Sequence, residues 1–231
     1  MNDGAIGSFL GKMNWSLTEL RQLYIYVDIT ALLLFFLMLL AFMLLKKNRE
    51  INAWLLLLGA MVVWSMGSLF VRVDIFPGAD FWFYCSLIAL VTIMFSVYNY
   101  VYMFSRGNGG TNRSVWLIVT IVMMIASVGG AFISPPRIAE AGGYITLSYS
   151  LDWRISVPIL FFVMVIAATA IEMKSVVNSK GPGAPGVKEI IVGCIIFGIG
   201  NLVVILPGNH FPFDTLGGVL FALLLCISLY K

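Results

Sequence analysis

Five polar residues lie within or beside long apolar stretches of this chain, and they have the chemistry to bind a ligand. Asp28, Arg72 and Asn201 interrupt apolar segments, and His210 and Asp214 flank the start of the last segment. A charged side chain at the centre of a bilayer costs about 2.5–3.5 kcal/mol on insertion scales, so each such residue needs a partner or a role. Arg72 is the cation that would lower this cost by pairing with Asp28 or Asp214.

These five residues allow two interpretations. They form either a ligand-binding cavity or a structural ion pair with helix caps, because Asp214 also suits the dipole at a helix N-terminus. His210 is the only histidine. It is either an ordinary solvated side chain or a group near Asp214 that senses the outer pH.

The sequence lacks the motifs of enzymes that use covalent or metal-ion catalysis. There is no HExxH, GxSxG, Walker or kinase motif, and the last apolar segment has no central lysine to carry retinal. The three cysteines lie in apolar segments without a CxxC or Cys/His cluster, so the sequence indicates neither a zinc site nor disulfides. We therefore expect no enzymatic activity, no catalytic residue, no metal site, no cofactor and no nucleic-acid partner.

Seven apolar segments carry the polar residues. They cover approximately Gln22–Lys46, Ala53–Arg72, Phe81–Phe104, Val115–Ile133, Ile155–Met173, Glu189–Leu206 and Phe211–Tyr230. Each is about long enough to cross ~30 Å of hydrocarbon, and each must be helical because lipid offers no partner for free backbone groups. The sequence thus predicts an all-α integral membrane protein whose residues 22–231 form a bundle of seven transmembrane helices.

Composition and charge predict how this bundle sits in the lipid bilayer. The chain is 61% hydrophobic and 11% charged, whereas soluble domains carry about 25% charged residues. Nine of the 14 basic residues follow the odd-numbered segments, namely Lys46, Lys47, Arg49, Arg106, Arg113, Lys174, Lys180, Lys188 and Lys231. The positive-inside rule then places the N-terminus outside and the C-terminus in the cytoplasm. Residues 1–21 are predicted to form an interfacial segment outside the membrane, with a Ser16–Glu19 capping box.

Other residue patterns predict local structure. Alternating residues at Tyr144–Tyr149 favour a short β-hairpin between helices four and five, with a disordered loop as the alternative. Glycines in the last two helices predict close helix packing (Gly193, Gly198, Gly200, Gly217 and Gly218). Aromatic residues near segment ends favour interface anchors (Trp54, Trp82, Trp116 and Trp153, and Tyr98, Tyr100 and Tyr102). Asn99, beside those tyrosines, is expected to bond to a neighbouring helix.

Three stretches carry a resemblance to a known family: Leu69–Trp82, Gly143–Tyr149 and Leu206–Thr215. With them the chain resembles the N-terminal seven-helix sensor region of prokaryotic histidine kinases and related signalling proteins. In that family the bundle is followed by PAS, kinase or cyclase modules joined to helix seven. This chain stops at Lys231, where such a linker would begin, so we expect the output domain to be absent from it.

The resemblance implies a multi-pass sensor or receptor of a two-component system in the prokaryotic plasma membrane, and it favours a homodimer. A small ligand or a change in membrane state would act on an outer cavity lined by Asp28, Arg72, Asn201 and Asp214, with His210 nearby. Helix seven would carry the change to a cytoplasmic kinase or cyclase domain. A small-solute transporter or channel is the alternative, although no internal repeat is evident and the midplane is apolar. A structural anchor that dimerises output domains is a third hypothesis.

Overall fold

The computed structural model describes residues 17–73, 75–106, 111–134, 137–141, 144–148, 152–178, 187–205 and 213–230. Within these residues the chain forms seven α-helices: α1 Leu17–Met43, α2 Arg49–Val73, α3 Ala79–Arg106, α4 Thr111–Val128, α5 Ser156–Asn178, α6 Val187–Ile205 and α7 Phe213–Tyr230. Each helix overlaps one predicted apolar segment, so the helical architecture is confirmed. Most of the predicted interfacial segment lies outside the described residues. Its last part, residues 17–21, forms the start of α1.

The helices are apolar enough to indicate a membrane protein. Among the described residues, four helices have both the length and the composition to cross a bilayer: Ile25–Met43, Ile51–Val73, Ala79–Met103 and Trp153–Ser175. Three shorter helices are also apolar: Asn112–Val128, Glu189–Val204 and Phe213–Ile227. Large apolar side chains cover the outside, where Leu37, Ile125 and Ile171 are 62%, 68% and 68% exposed. Water would disfavour such a surface, whereas lipid accepts it.

The closest helix packing joins two pairs, α2 with α3 and α6 with α7. Glycines allow the close approach, which was predicted for α6 with α7 but not for α2 with α3. A Cβ at Gly67 on α2 would lie only 2.8 Å from the Trp82 carbonyl oxygen of α3, and a Cβ at Gly217 on α7 only 3.1 Å from the Ile196 carbonyl oxygen of α6. Helix α1 packs on α2 and α7, while α4 and α5 pack mainly on α3.

Aromatic residues near the C-terminal end of α3 and the N-terminal end of α2 belong to the core, so the prediction that they anchor the interface is wrong for several of them. Tyr98 and Tyr102 are buried, and Trp54 is buried against Phe42 and Tyr100, at ring-centroid distances of 5.6 and 5.1 Å. Helix α3 contacts α2, α4, α5 and α6, which leaves little of its surface for lipid.

Asn99 was expected to bond across helices, and the structure confirms this. The Nε atom of Arg113 on α4 donates a 2.7 Å hydrogen bond to the Oδ1 atom of Asn99 on α3. This bond joins the two helices at the end of the bundle opposite to the polar residues described below.

Between α4 and α5 the chain forms two short antiparallel strands, β1 Arg137–Ala141 and β2 Tyr144–Ser148. Their register pairs Arg137 with Ser148 and Ala141 with Tyr144. This is the two-stranded element that the alternating residues of the second strand predicted. A 3₁₀ turn at Trp153–Ile155, capped by Asp152, then leads into α5.

One end of the bundle carries the polar residues. We call it the distal end: α2, α4 and α6 finish there, and α3, α5 and α7 begin there. Asp28 also lies near it, one turn inside the apolar stretch Ile25–Met43 of α1.

Candidate ligand-binding site

Asp28 lies on the face of α1 that is turned into the bundle. Asp28, Ala31 and Phe35 are fully buried and follow the spacing of one helix face. Thr215 Oγ1 on α7 donates a hydrogen bond to Asp28 Oδ1, and Ser68 Oγ on α2 lies 3.5 Å from Asp28 Oδ2. The Asp28 carboxylate therefore joins α1 to both α2 and α7.

Arg72, near the end of α2, lies between two carboxylates. Its Nη1 atom is 3.4 Å from Asp28 Oδ2, and its Nη2 atom is 3.7 Å from Asp214 Oδ2. Nη1 also donates to the Ser68 carbonyl oxygen at 2.6 Å, one helical turn earlier. We call Asp28, Ser68, Arg72, Asp214 and Thr215 the distal cluster. It pairs its buried charges, as low-dielectric surroundings require.

Both contacts between Arg72 and the aspartates of the distal cluster are longer than a tight ion pair. Charge-assisted N–H···O bonds are usually about 2.7–2.9 Å long, shorter than either contact between Arg72 and an aspartate. A small displacement would therefore tighten one ion pair and lengthen the other. Because Asp28 belongs to α1 and Asp214 to α7, such a displacement changes how α2 is tied to each of these helices.

A cavity of about 150 Å³ adjoins the distal cluster. Residues of α2 to α7 line it, and most of them are apolar. Its polar wall consists of Ser68, Arg72, Ser86, Ser127, Asn201 and Asp214. Asn201 Nδ2 donates to the Phe197 carbonyl oxygen of its own helix at 2.9 Å, so the amide contributes to the wall without joining two helices.

The structure brings together three of the five predicted site residues. Asp28, Arg72 and Asp214 form one network, in which Arg72 contacts both aspartates. Asn201 lies on the wall of the same cavity as Arg72 and Asp214. His210 lies outside the described residues, so its role remains a prediction.

Sequence reasoning missed Ser68 and Thr215. Ser68 lies four residues before Arg72, a spacing that places the two side chains on one helix face. Thr215 directly follows Asp214 at the start of α7. These spacings could have pointed to both residues in the sequence. Serine and threonine are common in membrane helices, however, so their presence alone does not indicate a site.

The chemistry of this site is hydrogen bonding and charge pairing. In the part of the chain that the structure describes, no three His, Cys, Asp or Glu side chains are grouped to hold a metal ion. The distal cluster can instead accept or donate hydrogen bonds to a molecule in the adjoining cavity.

Replacing Thr215 by valine, which has nearly the same shape, should destabilise the protein by about 1–3 kcal/mol. The reason is that a buried carboxylate loses a hydrogen-bond donor. The matched control is Thr169→Val, since Thr169 is equally buried but donates only to the Val165 carbonyl oxygen of its own helix. Denaturant unfolding in detergent micelles measures both variants. Equal stability losses would contradict a special role for Thr215.

Comparisons with known proteins assign no family to this chain. No protein-family model matches it, and no curated protein matches it. The resemblance to the sensor region of histidine kinases therefore remains a hypothesis.

Proposed function

We propose that this chain is the membrane sensor module of a prokaryotic signalling protein, a receptor and not an enzyme. It detects a small ligand in the cavity at the distal end and passes a conformational change through α7 to a cytoplasmic output domain such as a kinase or cyclase. One observation carries the proposal: Arg72 and Asp214 line the cavity and also belong to the network that holds the start of α7. A ligand on that wall would therefore contact the groups that position the last helix.

In this proposal all seven helices cross the plasma membrane, with the distal end outside. The three shorter helices support this, because α4, α6 and α7 contain 18, 19 and 18 residues. At about 1.5 Å per residue they reach about 27–29 Å, close to the thickness of the hydrocarbon core. The basic residues after the odd-numbered helices then face the cytoplasm.

Arg72 supplies a mechanism for switching between two arrangements. One arrangement has Arg72 closer to Asp28, and the other has it closer to Asp214. A ligand shifts this equilibrium only if it binds the two arrangements with different affinity. A ligand that hydrogen-bonds to Asp214 or Arg72 meets this condition, and α7 then moves relative to α1 and α2.

Cys226 offers a direct test that needs no ligand. It lies 11 residues after Thr215, about 16 Å further along α7, its side chain is exposed, and its Sγ atom is 3.9 Å from Met38 Sδ on α1. A trifluoromethyl label on Cys226, in a Cys85→Ser background and in lipid nanodiscs, would report the α1–α7 contact by fluorine NMR. Cys194 is buried and should not be labelled.

We expect two fluorine resonances whose ratio changes in Thr215→Val and stays the same in Thr169→Val. The first substitution acts on the distal cluster, whereas the second acts at a buried site away from it. A single resonance that neither substitution changes would indicate a rigid anchor and would contradict the proposed sensor.

A further inference from the structure

We propose that the cavity binds a small uncharged aromatic molecule with one hydrogen-bonding group, such as a phenyl-substituted alcohol. The inference rests on the proposed function, since it names the ligand class of the same site. Three features of the cavity support it: the volume, the chemistry of the walls and the charged groups at the polar end.

The cavity volume matches a ligand of about one ring. An apolar cavity of about 150 Å³ holds one benzene molecule, and this cavity has about the same volume. A single six-membered ring with a short substituent fits.

Aromatic side chains make up a substantial part of the apolar wall, beside aliphatic ones. Phe83 of α3, Phe132 after α4, and Phe161 and Phe162 of α5 all line the cavity. Phenyl rings favour edge-to-face or offset contacts with another aromatic ring, which add about 0.5–1.5 kcal/mol to the effect of burial. The walls therefore favour an aromatic body over an aliphatic one of equal volume.

The polar end favours an uncharged group. The carboxylates of Asp28 and Asp214 outnumber the single guanidinium of Arg72 and would repel an anion, while a cation would have to give up its hydration in a cavity with mostly apolar walls. A hydroxyl group can donate to Asp214 and accept from Arg72 without adding charge. Asn201 uses one amide hydrogen for the Phe197 carbonyl oxygen, and its side chain has a second donor and an acceptor for the ligand.

The bilayer offers such a ligand a route to the cavity. Helices α5 and α6 make few contacts with each other, yet Pro158 and Ile159 of α5 and Leu202 and Val204 of α6 all line the cavity. An aromatic alcohol dissolved in lipid can therefore approach between these two helices.

Equilibrium binding of radiolabelled 2-phenylethanol to the chain in nanodiscs tests the proposal, with empty nanodiscs as the partition blank. We expect saturable binding at one site, with phenylacetate and 2-phenylethylammonium competing at least tenfold more weakly.

Leu87→Trp should abolish binding because Leu87 lines the cavity. Ile88→Trp is the matched control, because Ile88 is the adjacent residue of α3 and is absent from the lining. Asn201→Leu should weaken binding about fivefold, the effect of one hydrogen bond.

Each contrary result overturns a defined part of the proposal. A charged analogue that competes as well as the alcohol would overturn the uncharged head group. Binding retained in Leu87→Trp, or unaffected by Asn201→Leu, would overturn the assignment to this cavity. Absence of saturable binding would overturn the ligand class, while a shift of the Cys226 resonances in Thr215→Val would still support the sensor. Saturable binding with unchanged Cys226 resonances would support the ligand class and contradict the sensor.

Discussion

Replacing Arg72 by alanine should destabilise the protein by about 3 kcal/mol or more and abolish the conformational exchange at Cys226. The substitution leaves the buried carboxylates of Asp28 and Asp214 without the cation that lies between them. Breaking a buried ion pair by removing one partner usually costs about 3–5 kcal/mol, because an uncompensated charge stays behind. Membrane insertion should persist, since the apolar segments are unchanged. Unfolding in detergent micelles and membrane fractionation measure the two effects.

Arg154→Ala is the matched control for that substitution. Arg154 Nε lies 2.7 Å from Asp152 Oδ2, closer than Arg72 lies to either aspartate, but the two side chains are 44% and 37% exposed. An exposed ion pair contributes about 0–1 kcal/mol, so this variant should stay near the wild-type stability. If the two variants lost equal stability, burial of the distal cluster would not be the reason for its importance.

Replacing Gly200 by alanine should have the second-largest effect, a loss of about 2–3 kcal/mol. A Cβ at Gly200 on α6 would clash with the carbonyl oxygen of Phe213 and lie 3.3 Å from Asp214 Cα, at the start of α7. The clashing atoms belong to the backbone, which cannot move aside as a flexible side chain can. The substitution would therefore push the start of α7 away from α6 and displace Asp214 from Arg72.

Gly59→Ala provides the comparison, because a Cβ at Gly59 on α2 would meet no atom within 4 Å. Alanine favours a helix over glycine by about 1 kcal/mol, so this variant should be as stable as the wild type or more stable. Thermal unfolding of both variants in the same detergent checks the pair. A loss of stability in Gly59→Ala equal to that in Gly200→Ala would contradict the packing argument.

The charged part of the site was predictable from the sequence because charges are rare in apolar segments. Arg72 is the cation that ends an apolar segment on the same side as Asp28 and Asp214, and the cost of an unpaired charge in lipid suggested the pairing. The structure adds that Arg72 contacts both aspartates. Segment positions and the close approach of α6 to α7 were predictable for similar reasons, from apolar length and from glycine content.

The orientation of individual side chains was much less predictable. Membrane helices are apolar nearly all round, so their sequence does not show which face packs inside. Tyr98 and Trp54 were therefore assigned to the interface from their position near segment ends, although their faces are turned into the bundle. The size of the cavity depends on the distance of α4 and α5 from α6. No local sequence pattern determines that distance.

The Asp28 carboxylate holds α7 to α1, and a double-mutant cycle measures the strength of this link. Asp28→Ala and Thr215→Val are made singly and together, and unfolding free energies are measured in one detergent. We expect a coupling of at least about 1 kcal/mol between these two sites, and additivity between Asp28→Ala and Thr169→Val. Additive losses for Asp28 and Thr215 would show that this carboxylate does not hold α7 to α1.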